Sequence, residues 1–280
     1  MDAMTKKELQ IIATKIRMAI IEGTFNAKSG HPGGSLSIAE DMAYLYWKEL
    51  NIDPQNPDWA GRDRFVLSKG HAAPALYGAL AHRGFFPVSE IASLRKVTSM
   101  LQGHPDMKKI PGVDMSSGSL GQGVSCAVGM ALAGKLDKAD YRVYTVLGDG
   151  EIGEGQVWEA AMFASAKGLD NLVVIVDNNN LQIDGTVVEV NSPYPIPEKF
   201  AAFGFHVIEI DGNDLEQIEA ALTEAKSVKG KPTCIVQKTL KGKGVSFMEN
   251  QCGWHGTAPN KEQYDAAMAE LSARLQELEG

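Results

Sequence analysis

The five residues from Leu172 to Val176, Leu-Val-Val-Ile-Val, include no polar side chain. A β-strand points successive side chains to opposite faces, so this run has no face to give to water. It fits a sheet covered on both sides, the usual setting of parallel strands flanked by helices. The rest of the chain supplies the other parts. Arg142–Leu147 is a second, β-branched run, and Arg64–Ser68, Phe205–Ile210 and Thr233–Gln237 are further strand candidates. Between them lie helical patterns at Ala72–Arg83, Leu120–Leu136, Val157–Lys167 and Asp214–Lys226. Thr5–Ala27 reads as an opening amphipathic helix, with Leu9, Ile12, Ile16, Ala19, Ile20 and Gly23 at roughly helical spacing. Ser37 to about Leu50 reads as a second helix and Lys261–Leu278 as a closing one. Ser29–Ser35, Asn51–Gly61 and Gly103–Gly118 are rich in breakers and read as loops. Strands alternating with helices predict an α/β class: a mostly parallel sheet flanked by helices, as one domain over residues 1–280.

Composition narrows the partners. With 280 residues and 44% hydrophobic content the chain can bury its own core. Its net charge of -8 offers no basic face, so nucleic acid is not an expected partner. Cys126, Cys234 and Cys252 are odd in number and lack CxxC spacing. Neither a disulfide framework nor a zinc site fits, and a reducing, cytoplasmic setting does. Met1–Gln10 is polar with no apolar run after it, so no signal peptide is expected. Leu172–Val176 is far too short to span a bilayer, so no membrane association is expected.

Parallel sheets bind ligands beyond the carboxyl ends of their strands. Arg142–Leu147 ends in Gly148-Asp149-Gly150, and Leu172–Val176 ends in Asp177-Asn178-Asn179-Asn180. These two loops can face each other across one crevice. Glycines around Asp149 let a diphosphate approach the backbone. Asp149 and an asparagine amide offer hard oxygen ligands of the kind Mg²⁺ takes. A helix starting after Gly155 adds N–H groups for an anion. The plainer reading is two β-to-α turns, in which Gly, Asp and Asn are usual.

Four of the six histidines sit beside glycine or proline in loops: His31, His71, His104 and His255. They are candidates to converge on a hydroxyl-rich substrate or on phosphates. His82, on a helix, and His206, in a strand, read as structural. Gly118-Ser119-Leu120-Gly121-Gln122-Gly123 opens a helix, yet no Gly-Lys-Ser/Thr follows and the third fingerprint position is Cys126. It is neither a phosphate loop of that type nor a good dinucleotide fingerprint. Glu154 and Glu159 suit the start of a helix by its dipole. Lys238, Lys241 and Lys243 form a small basic loop able to border a phosphate. Cys252 and His255 lack a third member for a nucleophilic triad.

Taken together, Ser29-Gly-His-Pro-Gly-Gly, Leu67-Ser-Lys-Gly-His-Ala, Gly103-His-Pro, Gly118-Ser-Leu-Gly-Gln-Gly, Gly148-Asp-Gly-Glu with Glu154-Gly, Asn179…Ile183-Asp-Gly and Trp254-His-Gly resemble the transketolase family over nearly the whole chain. The resemblance implies a thiamine diphosphate-binding fold, with this chain as the diphosphate-binding domain. It implies Mg²⁺, with Ca²⁺ or Mn²⁺ as substitutes, held by Asp149, the Asn179 side chain and the Leu181 carbonyl. Asn179 is chosen from the asparagine run by counting back from Ile183-Asp184-Gly185. His71, Gly118, Ser119, Leu120 and Gly150 would touch the cofactor, and His255 would face the diphosphate and the substrate. His31 and His104, with His71 and His255, would do the polar work of catalysis on the sugar. Glu154 and Glu159 look like subunit-interface carboxylates near the cofactor and count among its expected contacts.

Full-length transketolases are more than twice this length. The resemblance therefore implies a split enzyme. A C-terminal subunit would carry the pyrimidine-binding domain, its activating glutamate and most of the sugar-phosphate grip, in an α2β2 assembly. The implied reaction transfers a two-carbon ketol unit between sugar phosphates, as in the pentose phosphate pathway. Alternatives are a ketol transferase for an unusual or sulfonated sugar, a synthase condensing pyruvate with an aldehyde, and a non-catalytic subunit that keeps the fold.

Overall fold

A computed structural model describes residues 1–280. Its centre is a five-stranded sheet of β1 (Arg64–Leu67), β2 (Val143–Gly148), β3 (Leu172–Asn178), β6 (His206–Asp211) and β7 (Thr233–Lys238). The spatial order is β1-β2-β3-β7-β6, and all neighbours are parallel. β3 is the middle strand, as its apolar run requires. Its alternate residues enter two separate cores: Val173 and Ile175 go to one face, and Leu172, Val174 and Val176 to the other.

Helices α1 (Ala3–Ala27), α3 (Ala39–Tyr44), α4 (Ala73–Arg83), α9 (Leu215–Ser227) and α10 (Lys261–Glu279) contribute to a cluster of 44 buried residues on the first face. Helices α5 (Gln122–Leu136), α6 (Gly155–Ala166) and α8 (Ile196–Ala202) close a cluster of 21 on the second. The termini of the long helices are capped as sequence rules predict. Asp2 accepts from the Thr5 N–H at the start of α1, and Asn260 and Gln263 form a capping box at the start of α10. No helix is long and apolar enough to cross a membrane.

Two departures concern the first turn of the site. The segment Ser29–Ser35, read as a loop, overlaps a short helix α2 (Pro32–Leu36), entirely buried. Proline at its start tolerates the missing N–H. The expected helix from Ser37 to Leu50 is instead α3 followed by a π-helical turn, Leu45–Glu49. A small antiparallel hairpin of β4 (Leu181–Gln182) and β5 (Gly185–Thr186), the short helix α7 (Val187–Asn191) and α8 were not legible as periodic patterns. They are too short to repeat.

The carboxyl ends of β2, β3 and β7 lie level, since Gly148 pairs with Asp177 and Asp177 with Gln237. The loops after β1, β2, β3 and β7 therefore open on one edge. Glycine makes their close approach possible. A Cβ on Gly123 would lie 2.6 Å from the Ser68 Cα, and one on Gly70 would lie 2.7 Å from the Gly118 nitrogen. Both are backbone contacts that cannot yield.

Candidate cofactor and active site

A cavity of about 370 Å³ lies at that edge. His31, His71, His104, Gly118, Leu120, Asp149, Gly150, Asn179, Leu181 and His255 all reach its wall. Residues 224 positions apart thus meet at one place, from His31 before α2 to His255 after the Lys241 loop. The rings of His31, His71 and His255 form a triangle with centroids 5.1, 5.2 and 5.4 Å apart. His104 stands at the mouth, against Gly118.

Burial sets the charge state of these imidazoles. Desolvation, with nearby Arg95 and other cations, lowers His31 to about 4. Desolvation and Lys241 lower His255 to about 3. His71 is pushed well down by burial and by Lys69, and His104 is lowered by burial and Arg95. All four are neutral at pH 7, able to donate at one nitrogen and accept at the other. Lys241 Nζ lies 2.9 Å from His255 Nδ1 and donates to the Leu181 carbonyl at 2.7 Å. An ammonium only donates, so His255 Nδ1 accepts and Nε2 carries the hydrogen.

Beneath the histidines lies a buried polar floor. Asp177, fully buried, accepts from Lys69 Nζ at 2.5 Å, Ser37 Oγ at 2.7 Å, Asn179 Nδ2 at 2.8 Å and Thr239 Oγ1. Burial pushes its carboxyl up, but the Lys69 ammonium and these donors override it and hold it below the usual range. Glu151 accepts from Ser68 Oγ at 2.5 Å, Gly121 N at 2.9 Å and Gly148 N at 3.0 Å. One carboxylate thereby ties three loops of the site together. Asp149 accepts from the Gly150 and Asn180 N–H groups at 2.8 and 2.5 Å. Burial, then the neighbouring Asp177, raises its carboxyl to about 7.

Asp149 has backbone donors and no side-chain cation bonded to it, and its charge is costly where it sits. A divalent ion would relieve that cost. The Asn179 Oδ1 and the Leu181 carbonyl add two more hard oxygens, which fits Mg²⁺. Of the three asparagines, only Asn179 reaches this cavity. Asn178 Oδ1 accepts from Tyr194 at 2.6 Å and faces a neighbouring, wider cleft of about 570 Å³, which Asn179 and Asn180 also line with Lys238, Thr239 and Asn250. Asn180 is exposed at φ 63°. The wider cleft holds none of the histidines.

Three expected cofactor contacts are not in the wall. Ser119, Glu154 and Glu159 are exposed and outside the cavity lining. Ser119 precedes α5 and turns to solvent. Glu154 is the N-cap of α6, and Glu159 lies on that helix's outer side. His82 on α4 and His206 on β6, paired with Glu224 at 2.6 Å, also lie away from the site. Of the basic loop, Lys241 enters the wall while Lys238 lines the other cleft. Cys252 is exposed and joins no triad.

The polar floor was missed from sequence. Lys69, Glu151 and Asp177 look like ordinary loop or strand-end charges there. The one available signal was an aspartate directly after an apolar strand, where only a paired charge is tolerated.

Residues 8–275 match the family model described as transketolase, thiamine diphosphate binding domain. The chain is 48% identical over 264 residues to the 6-deoxy-6-sulfo-D-fructose transketolase subunit SqwG of Clostridium sp. (strain MSTE9), covering 94% of this chain and 96% of that one. It is 42% identical over 276 residues to an apulose-4-phosphate transketolase subunit of Phocaeicola vulgatus, covering 99% and 98%. Transketolase of Homo sapiens is 42% identical, covering 98% of this chain but 44% of its own length. The crystal structure of transketolase from Campylobacter jejuni superposes with a TM-score of 0.90 at 32% identity, covering 99% of this chain and 46% of that one.

Proposed function

The chain belongs to the transketolase family, and on that premise we propose that it is the thiamine diphosphate-binding subunit of a two-polypeptide transketolase. It works with a separate C-terminal subunit that carries the pyrimidine-binding domain, and moves a two-carbon ketol unit from a ketose phosphate to an aldose phosphate. The observation that carries this reading is the convergence of Asp149, Asn179, Leu181 and four neutral histidines on one cavity. The near full-length match to two proteins named as transketolase subunits supports the separate partner.

Mg²⁺ would be held by Asp149, the Asn179 amide oxygen and the Leu181 carbonyl. When bound, thiamine diphosphate supplies a nucleophilic carbon and an electron sink for breaking and remaking the sugar's C–C bond. The chain's own groups hold and orient. Gly118, Leu120 and Gly150 offer backbone that a flat or anionic group can approach. His255, fixed by Lys241, presents an Nε2–H donor. His31, His71 and His104, kept neutral by burial, bond sugar hydroxyls and pass protons between them and a developing oxyanion.

The second subunit has a candidate surface. Glu159, Met162, Phe163 and Ala166 share the exposed side of α6, with Met162 62% exposed. Ile183, in the cavity lining, is exposed, as are Val188 and Val190 on α7. Glu159 lies on that side, and Glu154, the exposed N-cap of α6, precedes it; both fit interface carboxylates better than cofactor contacts. An α2β2 assembly in a reducing cytosol completes the proposal.

The test is ketol transfer from xylulose 5-phosphate to ribose 5-phosphate with Mg²⁺ and thiamine diphosphate. The chain is assayed alone and with its partner polypeptide. Activity only with both is expected, along with self-association of the isolated chain through its apolar patches. Full activity from the chain alone would sink the two-subunit reading. The identity to a 6-deoxy-6-sulfo-D-fructose transketolase subunit favours a second reading, a sulfonated ketose as donor. The same assay with that sugar separates the two. Failure to bind the cofactor even with the partner would leave a non-catalytic subunit.

A further inference from the structure

We propose that Asp177, anchored by Lys69, is a positioning residue that decides which end of the Asn179 amide faces the cavity. The inference rests on the proposed function, in which Asn179 is a metal ligand. The two ends of an amide are nearly equal in size but opposite in polarity. Only the oxygen can ligate a cation, so the pocket must prevent the NH₂ from turning inward.

Asp177 supplies that constraint. Its Oδ2 accepts from Asn179 Nδ2 at 2.8 Å, which leaves Oδ1 on the other side. Oδ1 accepts from the Leu181 N–H at 3.1 Å and keeps a second lone pair. A flipped amide would set its oxygen against the carboxylate and its NH₂ against the Leu181 N–H. Both contacts would be repulsive. Asp177 itself cannot turn away. Lys69 bonds the same oxygen at 2.5 Å and reaches the Gly34 carbonyl at 2.7 Å, while Ser37 and Thr239 hold the carboxylate from two further elements. The backbone of the same residue also acts on the other expected ligand, since the Asp149 N–H donates to the Asp177 carbonyl at 3.2 Å. Both loops of the metal site thus lean on position 177. Groups one step behind a ligand commonly tune metal affinity by about 10- to 100-fold.

The experiment measures Mg²⁺ affinity of the full chain with its partner subunit and thiamine diphosphate, by titration calorimetry, alongside ketol transfer. Asp177→Asn is expected to weaken Mg²⁺ binding about 10- to 100-fold. The ketol transfer it loses should return as Mg²⁺ is raised, a rescue that general damage to the fold would not give. Asn179→Asp adds a negative ligand, which by charge alone would strengthen binding. Facing Asp177 it is expected to bind Mg²⁺ at least 10-fold more weakly, and this variant tests the proposal even if Asp177→Asn does not fold. The double variant Asp177→Asn with Asn179→Asp exchanges donor and acceptor. It should recover most of the affinity that Asn179→Asp loses. Unchanged affinity in Asp177→Asn, or tighter binding in Asn179→Asp, would overturn the proposal while the parent complex still takes Mg²⁺. A parent complex that takes up cofactor with no divalent ion would overturn the proposed metal site, and this inference with it.

Discussion

On one face of the sheet, five helices help bury 44 residues; on the other, three helices close a cluster of 21. The strands do not explain the difference, because β3 serves both faces alike. The helices do. α1 is 25 residues long, and α10 packs along it as a second layer. α5 and α6 form a single layer of 15 and 12 residues, and no helix covers the outer side of α6. Phe163 is 42% exposed there. One face is a core finished within the chain. The other ends in an apolar surface of the kind that a partner covers.

The largest effect should come from the finished face. Leu80→Ala on α4, at a fully buried position, is expected to cost about 2–5 kcal/mol in denaturant unfolding, from lost burial and a cavity. Val128→Ala on α5 should cost less, about 1.5 kcal/mol from two methyls. Equal losses would break the contrast. Next, Phe163→Glu should leave the isolated chain within about 0.5 kcal/mol. The same change should weaken assembly with the partner by about 2 kcal/mol, roughly 30-fold, read by sedimentation or calorimetry. A loss of stability in the free chain would show that Phe163 belongs to the core.

Stability should also depend on pH. His31 and His255 have folded values of about 4 and about 3, below the unfolded value of 6.5. The unfolded chain therefore takes up protons first. Their contribution is fully present above pH 6.5 and is lost as pH falls from there toward 4 and then 3. Melting temperature should drop across that window. His31→Asn should flatten the drop, and Phe163→Glu should leave its shape unchanged.

The sheet and the loops at its carboxyl edge were legible because each depends on a local property. Leu172–Val176 demanded two covered faces, and β3 has them. Gly148-Asp149-Gly150 and the asparagine run lie at strand ends, and the structure brings the first and Asn179 of the second to one cavity. The elements that escaped are short. α2 hides in a Gly-Pro-Gly-Gly sequence broken only by His31, and α7 and the β4–β5 hairpin span too few residues for a period to form. At the site, the motifs alone put Ser119, Glu154 and Glu159 on the cofactor. A motif fixes spacing along the chain and says nothing of which way a side chain turns.

What the sequence determined alone was the parallel α/β architecture and the residue types able to serve a diphosphate, a hard cation and a polyhydroxyl substrate. Both follow from local patterns of hydropathy, glycine and oxygen donors. Counting back from Ile183-Asp184-Gly185 picked Asn179 from the run, and tertiary structure alone brought it to the cavity that Asn178 and Asn180 do not line. It also decided that Lys69, Glu151 and Asp177 form the cavity's floor, and that Lys241 sets the hydrogen on His255. These outcomes depend on side chains from β1, β2, β3 and β7 meeting without water. There each buried charge must find its partner, whatever its distance along the chain.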